Sequence, residues 1–278
     1  PHDQRRRGPV TMHPAEAQPQ DRDHYTVVPA PWVAGCSDIG TRHRTNQDAL
    51  CVAASSRPTK RAVLVVSDGV STAFGAEHAS LVAVEEACSV LIRALAAGGS
   101  AEAESFNSAF ARAHEAVLAA GAHEEPAACT LVAATVADGL IRVGSIGDSR
   151  AYWFGDDGVS WQLTKDDSMA QARMMLGMPR EEAERSLQAH SITRWLGRNA
   201  TDVNPALVEL RPDSPGWVVV CSDGLWNYAS SPEDLAAVFE GAKQVSGNPV
   251  ELAESLVAWA NSCGGRDNIT VALAYCEG

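Results

Sequence analysis

The sequence has little that would place the chain in a membrane or outside the cell. No apolar run approaches the length of a membrane-spanning helix, and the N-terminus lacks the apolar core of a signal peptide. The seven cysteines include no Cys-x-x-Cys pair, which argues against a zinc site, and most lie inside apolar runs as small buried thiols do. We therefore expect a cytoplasmic protein whose cysteines stay reduced.

Positive charge is also scarce. The chain carries 22 Lys and Arg residues against 35 Asp and Glu residues, and its formal net charge is −13. A field of this sign repels nucleic acid and anionic membranes, so we expect neither as a partner. The 278 residues suit one large domain or two small ones, and the even spread of apolar segments favours one.

Local patterns divide the chain into an N-terminal tail and a folded domain. Residues 1–30 are rich in Pro, Arg, Gln, Asp and His without periodicity, so we expect a flexible tail or linker there and one domain over 31–278. Apolar runs predict strands at 62–67, 130–137, 140–146, 150–154, 217–222 and 269–275. Helical patterns cover 76–97, 101–120, 181–188, 232–240 and 250–262. Because the strands come in runs broken by two adjacent long helices, we expect antiparallel or mixed sheets with packed helices.

Aspartates recur at the boundaries of the predicted strands. Asp68, Asp148 and Asp223 each follow an apolar strand, while Asp48 and Asp267 each precede one. Any one Asp-Gly or Gly-Asp pair is more often only a turn. Five such positions together indicate carboxylates that converge at a sheet edge, where cations must neutralise the like charges. Oxygen ligands without Cys or His select hard cations such as Mg²⁺ or Mn²⁺.

Six short motifs carry a resemblance to a known family. They are 44–49 (RTNQDA), 66–69 (VSDG), 144–151 (GSIGDSRA), 163–164 (LT), 221–226 (CSDGLW) and 264–270 (GGRDNIT). In order, spacing and placement at strand ends they resemble the motifs of the PPM family, the type-2C metal-dependent Ser/Thr protein phosphatases, and its bacterial branch most. The resemblance runs from about residue 36 to residue 275. It implies an α+β fold, a four-layer αββα sandwich of two mainly antiparallel sheets flanked by helix pairs, with a metal site at one end.

The resemblance also implies metal-binding roles for four of the aspartates. It implies that Asp68 bridges two metal ions and that the carbonyl of Gly69 is a further ligand. Asp223 and Asp267 are implied to hold the first ion. Asp48 is implied to bind the second ion through water.

A fifth aspartate and the reaction follow from the same resemblance. Asp148, together with Asp223, is implied to hold a third and weaker ion. The implied cofactor is Mn²⁺ or Mg²⁺, and the implied reaction is hydrolysis of phosphoserine or phosphothreonine in proteins by a metal-activated water, without a phosphoenzyme. The implied substrates are phosphorylated proteins that a Ser/Thr kinase targets, and we expect the phosphatase to act as a monomer.

Some positions depart from the pattern of that family. Gln47 stands where many members have glutamate, and an amide adds no negative charge to the second metal site. His43 stands where many members have an arginine that grips the phosphate, and Arg42 and Arg44 flank it. We hypothesise that His43 contacts the substrate phosphate or donates a proton, with an arginine assisting; a hydrogen-bonded structural role is the alternative. Eukaryotic members often have an acidic histidine at the position of Val70, so that acid is absent here.

A variable flap beside the site is expected within residues 165–204, where the pattern of apolar residues loosens. Surface segments of this kind often decide substrate choice. Near its end we expect Trp195 to pack in the core, while a substrate contact by Arg194 is open.

Other functions fit the residues less well. The segment 147–149 (GDS) resembles the nucleophile motif of a Ser hydrolase, but it lies mid-chain and no histidine follows His190, which leaves that motif without its late Asp-x-x-His partner. An inactive pseudophosphatase acting as a binding module is compatible with Gln47 and His43, yet the five retained aspartates argue against it. A phosphatase of a small phosphorylated molecule is a further alternative.

Overall fold

The computed structural model describes residues 13–14, 22–70, 75–97, 101–121 and 127–277, whose strands form two six-stranded antiparallel sheets. In spatial order the first sheet contains β1 (His13–Pro14), β4 (Asp48–Ser55), β5 (Arg61–Asp68), β7 (Leu131–Ala137), β8 (Leu140–Ile146) and β12 (Ala206–Leu210). The second contains β10 (Ser160–Gln162), β9 (Arg150–Gly155), β13 (Gly216–Cys221), β14 (Ile269–Cys276), β3 (Val33–Asp38) and β2 (His24–Ala30). A two-stranded ladder joins β6 (Ala128–Cys129) to β11 (Leu196–Gly197).

Helices cover the outer face of each sheet. The first sheet carries α1 (Ala76–Ala96) and α2 (Ala103–Ala120), and the second carries α6 (Pro232–Val245) and α7 (Pro249–Ser262). The short helices α3 (Met169–Met175) and α4 (Arg180–Glu184) lie between β10 and β11, and α5 (Asp223–Trp226) follows β13. Among the helices of the described residues, none is long and apolar enough to cross a membrane.

Strand β5 shows why this sequence forms four layers. Its side chains alternate between two cores, as they must in an extended strand. Val63 and Val65 pack with α1 and α2, whereas Leu64 and Val66 pack between the two sheets. A third core joins the second sheet to α6 and α7. The predicted αββα sandwich is therefore confirmed.

The antiparallel pairing brings several loops to one end of the sandwich. Asp48 begins β4 directly opposite Asp68, where β5 ends. In the second sheet, Cys221 at the end of β13 pairs with Arg150 at the start of β9 and with Val271 near the start of β14. The segments that precede or follow these strand ends therefore gather at the same edge, which is where the predicted aspartates stand.

The structure differs from the sequence-based expectation in several elements. The predicted tail ends earlier than residue 30, because β2 pairs with β3 and buries Tyr25. Of the predicted tail, residues 1–12 and 15–21 lie outside the described residues. The helix predicted at 181–188 is shorter and ends at Glu184. The helix predicted at 232–240 is longer, because α6 continues to Val245. Strand β12 was not predicted, since it is an edge strand with mostly exposed side chains. All seven cysteines are free.

Candidate metal centre

Asp48 and Asp68 form the half of the site that belongs to the first sheet. Asp48 is buried, and the hydroxyl of Ser222 donates a 2.6 Å hydrogen bond to its Oδ2 atom. Its backbone N–H donates to the side-chain oxygen of Asn46 at 3.1 Å. The Asp48 Oδ1 atom is buried without a hydrogen-bond partner in the described part of the chain. This oxygen is therefore available to a ligand that brings positive charge or a proton.

Gly69 follows Asp68 at a point where only glycine fits. Its N–H donates to the Gln47 carbonyl at 3.1 Å, which ties the end of β5 to the segment before β4. A Cβ atom at this position would lie 2.5 Å from the Ala76 carbonyl oxygen and 2.8 Å from that of Gln47. Both neighbours are backbone, so they cannot move aside without shifting α1 or β4.

Asp223 and Asp267 form the half that belongs to the second sheet. The side-chain amide of Asn227 donates to Asp223 Oδ2 at 2.9 Å, while Asp223 Oδ1 is buried without a partner among the described residues. Asp267 Oδ1 accepts the Asn268 N–H at 2.9 Å. The two loops touch closely, because a Cβ at Gly224 would lie 2.0 Å from the Asn268 carbonyl oxygen.

Asp148 lies in the turn between β8 and β9 and is held through its backbone. The indole N–H of Trp226 donates to the Asp148 carbonyl at 3.0 Å. Nearby, the hydroxyl of Thr130 accepts the Asp68 N–H at 3.0 Å and hydrogen-bonds the Ser149 hydroxyl at 2.7 Å. Thr130 therefore connects the end of β5 to the turn that carries Asp148.

A cleft of ≈ 380 Å³ opens where these loops meet. It is lined by Asp68, Gly69, Val70, Thr130, Asp148, His190, Ser191, Ile192, Asp223 and Asp267. Asp48 is buried and does not line it. Residues from both sheets and from the segment after α4 thus share one concave surface, as expected of a ligand site.

The aspartates destabilise one another's charged forms. Burial, reinforced by neighbouring carboxylates, raises the pKa of Asp48 to about 7 and that of Asp223 to about 6. Burial also raises the pKa of Asp68 and of Asp148 well above the ordinary value. The pKa of Asp68 is raised further by the charges of Asp48, Asp223, Asp267 and Asp148. Asp68 is therefore at the electrostatic centre of the cluster, and bound cations would relieve the repulsion.

The donor set fits hydrated hard cations. The unpartnered oxygens of Asp48 and Asp223 are buried and belong to carboxylates, which suit Mg²⁺ and Mn²⁺. Within the described ranges, no three His, Cys, Asp or Glu side chains are arranged to hold one ion by themselves. Ions of the Mg²⁺ type keep several waters and take only one or two carboxylates, so they do not require such a group.

The structure separates the predicted metal ligands from the predicted phosphate ligands. Asp68, Gly69, Asp148, Asp223 and Asp267 line the cleft together. By contrast, Arg42, His43 and Arg44 do not line it. Both arginines are exposed and hydrogen-bond no other described residue, while His43 Nε2 lies 3.2 Å from Asp267 Oδ1. His43 therefore lies beside the cleft and contacts its lining residue Asp267.

The flap residues named in the sequence have partners of their own. Arg194 forms ion pairs with Asp167 at 3.3 Å and with Asp202 at 2.8 Å. Trp195 is half-buried, and its indole N–H donates to the Arg198 carbonyl at 3.0 Å. The guanidinium of Arg194 is therefore engaged inside the flap, and neither residue lines the cleft.

Several residues of the site had no sequence signal of their own. Thr130 and His190 line the cleft, but neither belongs to the motifs quoted above. Ser222 could have been found, because it precedes Asp223 inside a motif. Arg22 could not, because it lies in an unpatterned stretch, and yet its guanidinium donates to the backbone carbonyls of Asp48 and Glu77.

The sandwich and the acidic cleft at its end define a PPM-type phosphatase fold, and comparison with known proteins agrees. The chain belongs to the family described as Protein phosphatase 2C, which matches residues 39–261. The serine/threonine phosphatase stp of Listeria innocua is 32% identical over 146 residues, which cover 52% of this chain and 55% of that protein. The chain thus spans about half the length of the curated relatives it matches.

Two solved structures cover more of the chain. The serine/threonine phosphatase of S. agalactiae has a TM-score of 0.72 and 25% identity, and the match covers 91% of this chain and 100% of that one. The catalytic domain of the serine threonine protein phosphatase PstP, in complex with 2 manganese ions, has a TM-score of 0.69 and 25% identity, with coverage of 88% and 98%.

Proposed function

We propose that the protein is a metal-dependent protein phosphatase that hydrolyses phosphoserine and phosphothreonine. The observation that carries this proposal is the convergence of Asp68, Asp148, Asp223 and Asp267 on one cleft that spans both sheets. Such a cluster of carboxylates would repel a phosphate ester unless cations intervene. The family and the manganese-bound structure of PstP support a divalent ion in this role.

Each acidic residue then has a place in holding the ions. Asp68 would help to hold two ions and the Gly69 carbonyl would be a further ligand, Asp223 and Asp267 would hold the first ion, and Asp48 would bind the second through water. The electrostatic centre at Asp68 supports this assignment, because four other carboxylates act on it. We assign Mn²⁺ or Mg²⁺ to these positions.

The remaining acidic residue and the chemistry complete the proposal. Asp148, with Asp223, would hold a third and weaker ion. When bound, the ions supply positive charge for the phosphoryl oxygens and make an attacking water easier to deprotonate. The protein itself keeps the carboxylates in place through Ser222, Asn227 and the glycine contacts, so the site is organised before substrate arrives.

A direct assay tests the proposed function. Wild-type protein with Mn²⁺ should hydrolyse p-nitrophenyl phosphate and a phosphothreonine peptide, and Asp68→Asn should abolish both activities. A free phosphorylated metabolite accepted in place of the peptide would instead identify a small-molecule phosphatase. Absence of turnover with every divalent ion tested would identify a binding module.

A separate proposal concerns the side chain that binds the substrate phosphate. We assign it to His43, assisted by Arg42 or Arg44, because His43 lies beside Asp267 and the two arginines are exposed and without partners in the described structure. His43→Ala should reduce kcat/KM strongly for both substrates, since either one presents the same phosphoryl group. An unchanged kcat/KM would assign His43 a structural role.

The proposed activity also suggests the physiological substrates and the cellular location of the protein. We propose that phosphoproteins made by a Ser/Thr kinase are the substrates and that the protein acts as a cytoplasmic monomer. Phosphoproteomics of a deletion strain against a strain that carries Asp223→Asn would identify the substrates. Sites whose phosphorylation rises in both strains depend on catalysis. Sites whose phosphorylation rises only in the deletion strain depend on binding by the protein.

A further inference from the structure

The cleft has an acidic wall and a second wall of different chemistry. The second wall comes from the segment after α4 and consists of His190, Ser191 and Ile192. Of the described residues that line the cleft, His190 is the one whose side chain can carry positive charge. An imidazole that faces bound substrate from this side would not compete with the carboxylates for the ions.

The backbone on both sides of His190 is fixed. Ala189 accepts a 3.0 Å hydrogen bond from the Ala170 N–H, and Ser191 accepts one of 3.0 Å from the Met169 N–H. The chain turns sharply just before this point, where Gln188 has a φ of 60° and accepts the Ser191 N–H at 3.0 Å. The imidazole is therefore presented from a rigid platform, as catalytic groups require.

The described structure shows the His190 imidazole in a ring contact with Trp226 and in an electrostatic interaction with Asp223. Its side chain is exposed to solvent. Its ring is tilted against Trp226 with centroids 6.5 Å apart, and Trp226 is held by its bond to the Asp148 carbonyl. By contrast, the imidazole of His114 accepts a 3.1 Å hydrogen bond from the Gly197 N–H and serves the fold.

We infer that His190 is a catalytic residue that protonates the leaving oxygen of the substrate serine or threonine. This inference rests on the proposed phosphatase function. The water oxygen forms a bond to phosphorus while the bond from phosphorus to the leaving oxygen breaks, and its electron pair goes to that oxygen. The imidazolium proton of His190 moves to the same oxygen, which gives the free hydroxyl and inorganic phosphate. The proton lost by the water passes to solvent, and solvent reprotonates the imidazole.

The chemistry of the proposed reaction favours a proton donor on the wall that contains His190. A serine or threonine alkoxide is a poor leaving group, and a positioned acid typically contributes about 10²–10⁴-fold to such a step. The carboxylates are occupied in holding ions in the proposed function, and Val70 carries no proton to give. Among the described residues that line the cleft, His190 is the remaining side chain of a type that commonly serves as a general acid.

Substrates with different leaving groups test the inference. The nitrophenolate of p-nitrophenyl phosphate leaves without a proton, whereas the hydroxyl of a phosphothreonine peptide needs one. We expect His190→Ala and His190→Gln to lower kcat/KM for the peptide by about 10²-fold or more while turnover of p-nitrophenyl phosphate changes little. The glutamine retains an N–H donor but has no proton to transfer, so it separates acid catalysis from hydrogen bonding.

Matched controls keep the result interpretable. His78→Gln alters an exposed histidine on α1 that does not line the cleft, and it should leave both activities unchanged. Mn²⁺ affinity and the melting temperature of both His190 variants should equal those of the wild type. Equal losses on the two substrates would overturn the inference, as would a selective loss for the peptide in His43→Ala alone. Wild-type turnover with no effect of either His190 variant overturns only the inference, whereas an inactive wild type overturns the proposed function as well.

Discussion

Asp48 and Asp68 are directly opposite each other in the antiparallel ladder of β4 and β5. Two like charges at opposite positions of a sheet destabilise it. Burial is the largest cause of the raised pKa of each carboxyl group, and the charge of Asp48 raises the pKa of Asp68 further. In the proposed function both groups serve one metal centre. Stability and function therefore oppose each other at this point of the sheet.

Replacing Asp68 should separate those two effects. Asp68→Asn should abolish Mn²⁺-dependent hydrolysis, and it should raise the melting temperature of the metal-free protein by about 2–4 °C, which corresponds to about 1 kcal/mol. Calorimetry of protein treated with a chelator measures the second effect. Asp213→Asn, at an exposed position, should change neither quantity. A metal-free variant less stable than the wild type would contradict the assigned repulsion.

Metal-free protein should lose stability as the pH rises. The pKa values of Asp48 and Asp223, about 7 and about 6, lie above the value of about 4 for aspartate in an unfolded chain. Between those limits the folded state binds more protons than the unfolded state, so the free energy of unfolding falls with rising pH. Each pKa unit of difference corresponds to about 1.4 kcal/mol.

Urea unfolding of chelator-treated protein from about pH 4.5 to about pH 8 measures this dependence. Asp48→Asn should flatten the curve, because one of the two raised groups is gone. Saturating Mn²⁺ should reverse the slope, since ions bind the deprotonated carboxylates. A metal-free protein equally stable across this range would refute the electrostatic account of the cluster.

Ser222 should tune the affinity for metal without contacting it. Its hydroxyl donates to Asp48 Oδ2 and accepts the Thr270 N–H at 3.0 Å, so it orients a buried carboxylate from the other sheet. Ser222→Ala should raise the Kd for Mn²⁺ by about 10–100-fold, as measured by titration calorimetry. Ser230→Ala is a matched control, because it removes a 2.7 Å bond to the carboxylate of Glu184 outside the cleft and should leave the Kd unchanged.

Gly224 should be intolerant of a side chain. An added Cβ would lie 2.0 Å from the backbone carbonyl oxygen of Asn268, so Gly224→Ala should push apart the loops that carry Asp223 and Asp267. We expect a loss of about 2 kcal/mol or more in the free energy of unfolding and a weaker affinity for Mn²⁺. Gly241→Ala, inside α6 with open space around the Cβ position, should instead stabilise by about 0.5–1 kcal/mol. Similar effects in the two variants would contradict this packing argument.

Short-range patterns predicted the elements whose apolar residues follow one regular pattern from end to end. Strands β5 and β8 are apolar runs buried for nearly their whole length, and helix α1 buries one face with a regular helical repeat, so their type and approximate limits could be read locally. Strand β2 could not, because its residues are polar and apolar in mixed order and become a strand only by pairing with β3. The same holds for β12, which gains its order from β8.

The acidic half of the candidate site was accessible from the sequence because each aspartate follows or precedes an apolar strand. Those local positions determined the chemistry of the ligands and, through the ordered motifs, the family. Only the tertiary structure decided which side chains share the cleft, because antiparallel pairing and sheet packing join residues far apart in the chain. It brought His190 from the flap to the cleft wall and left Arg42 and Arg44 away from it. No local pattern encodes such distances, since they depend on how the two sheets and the flap pack together.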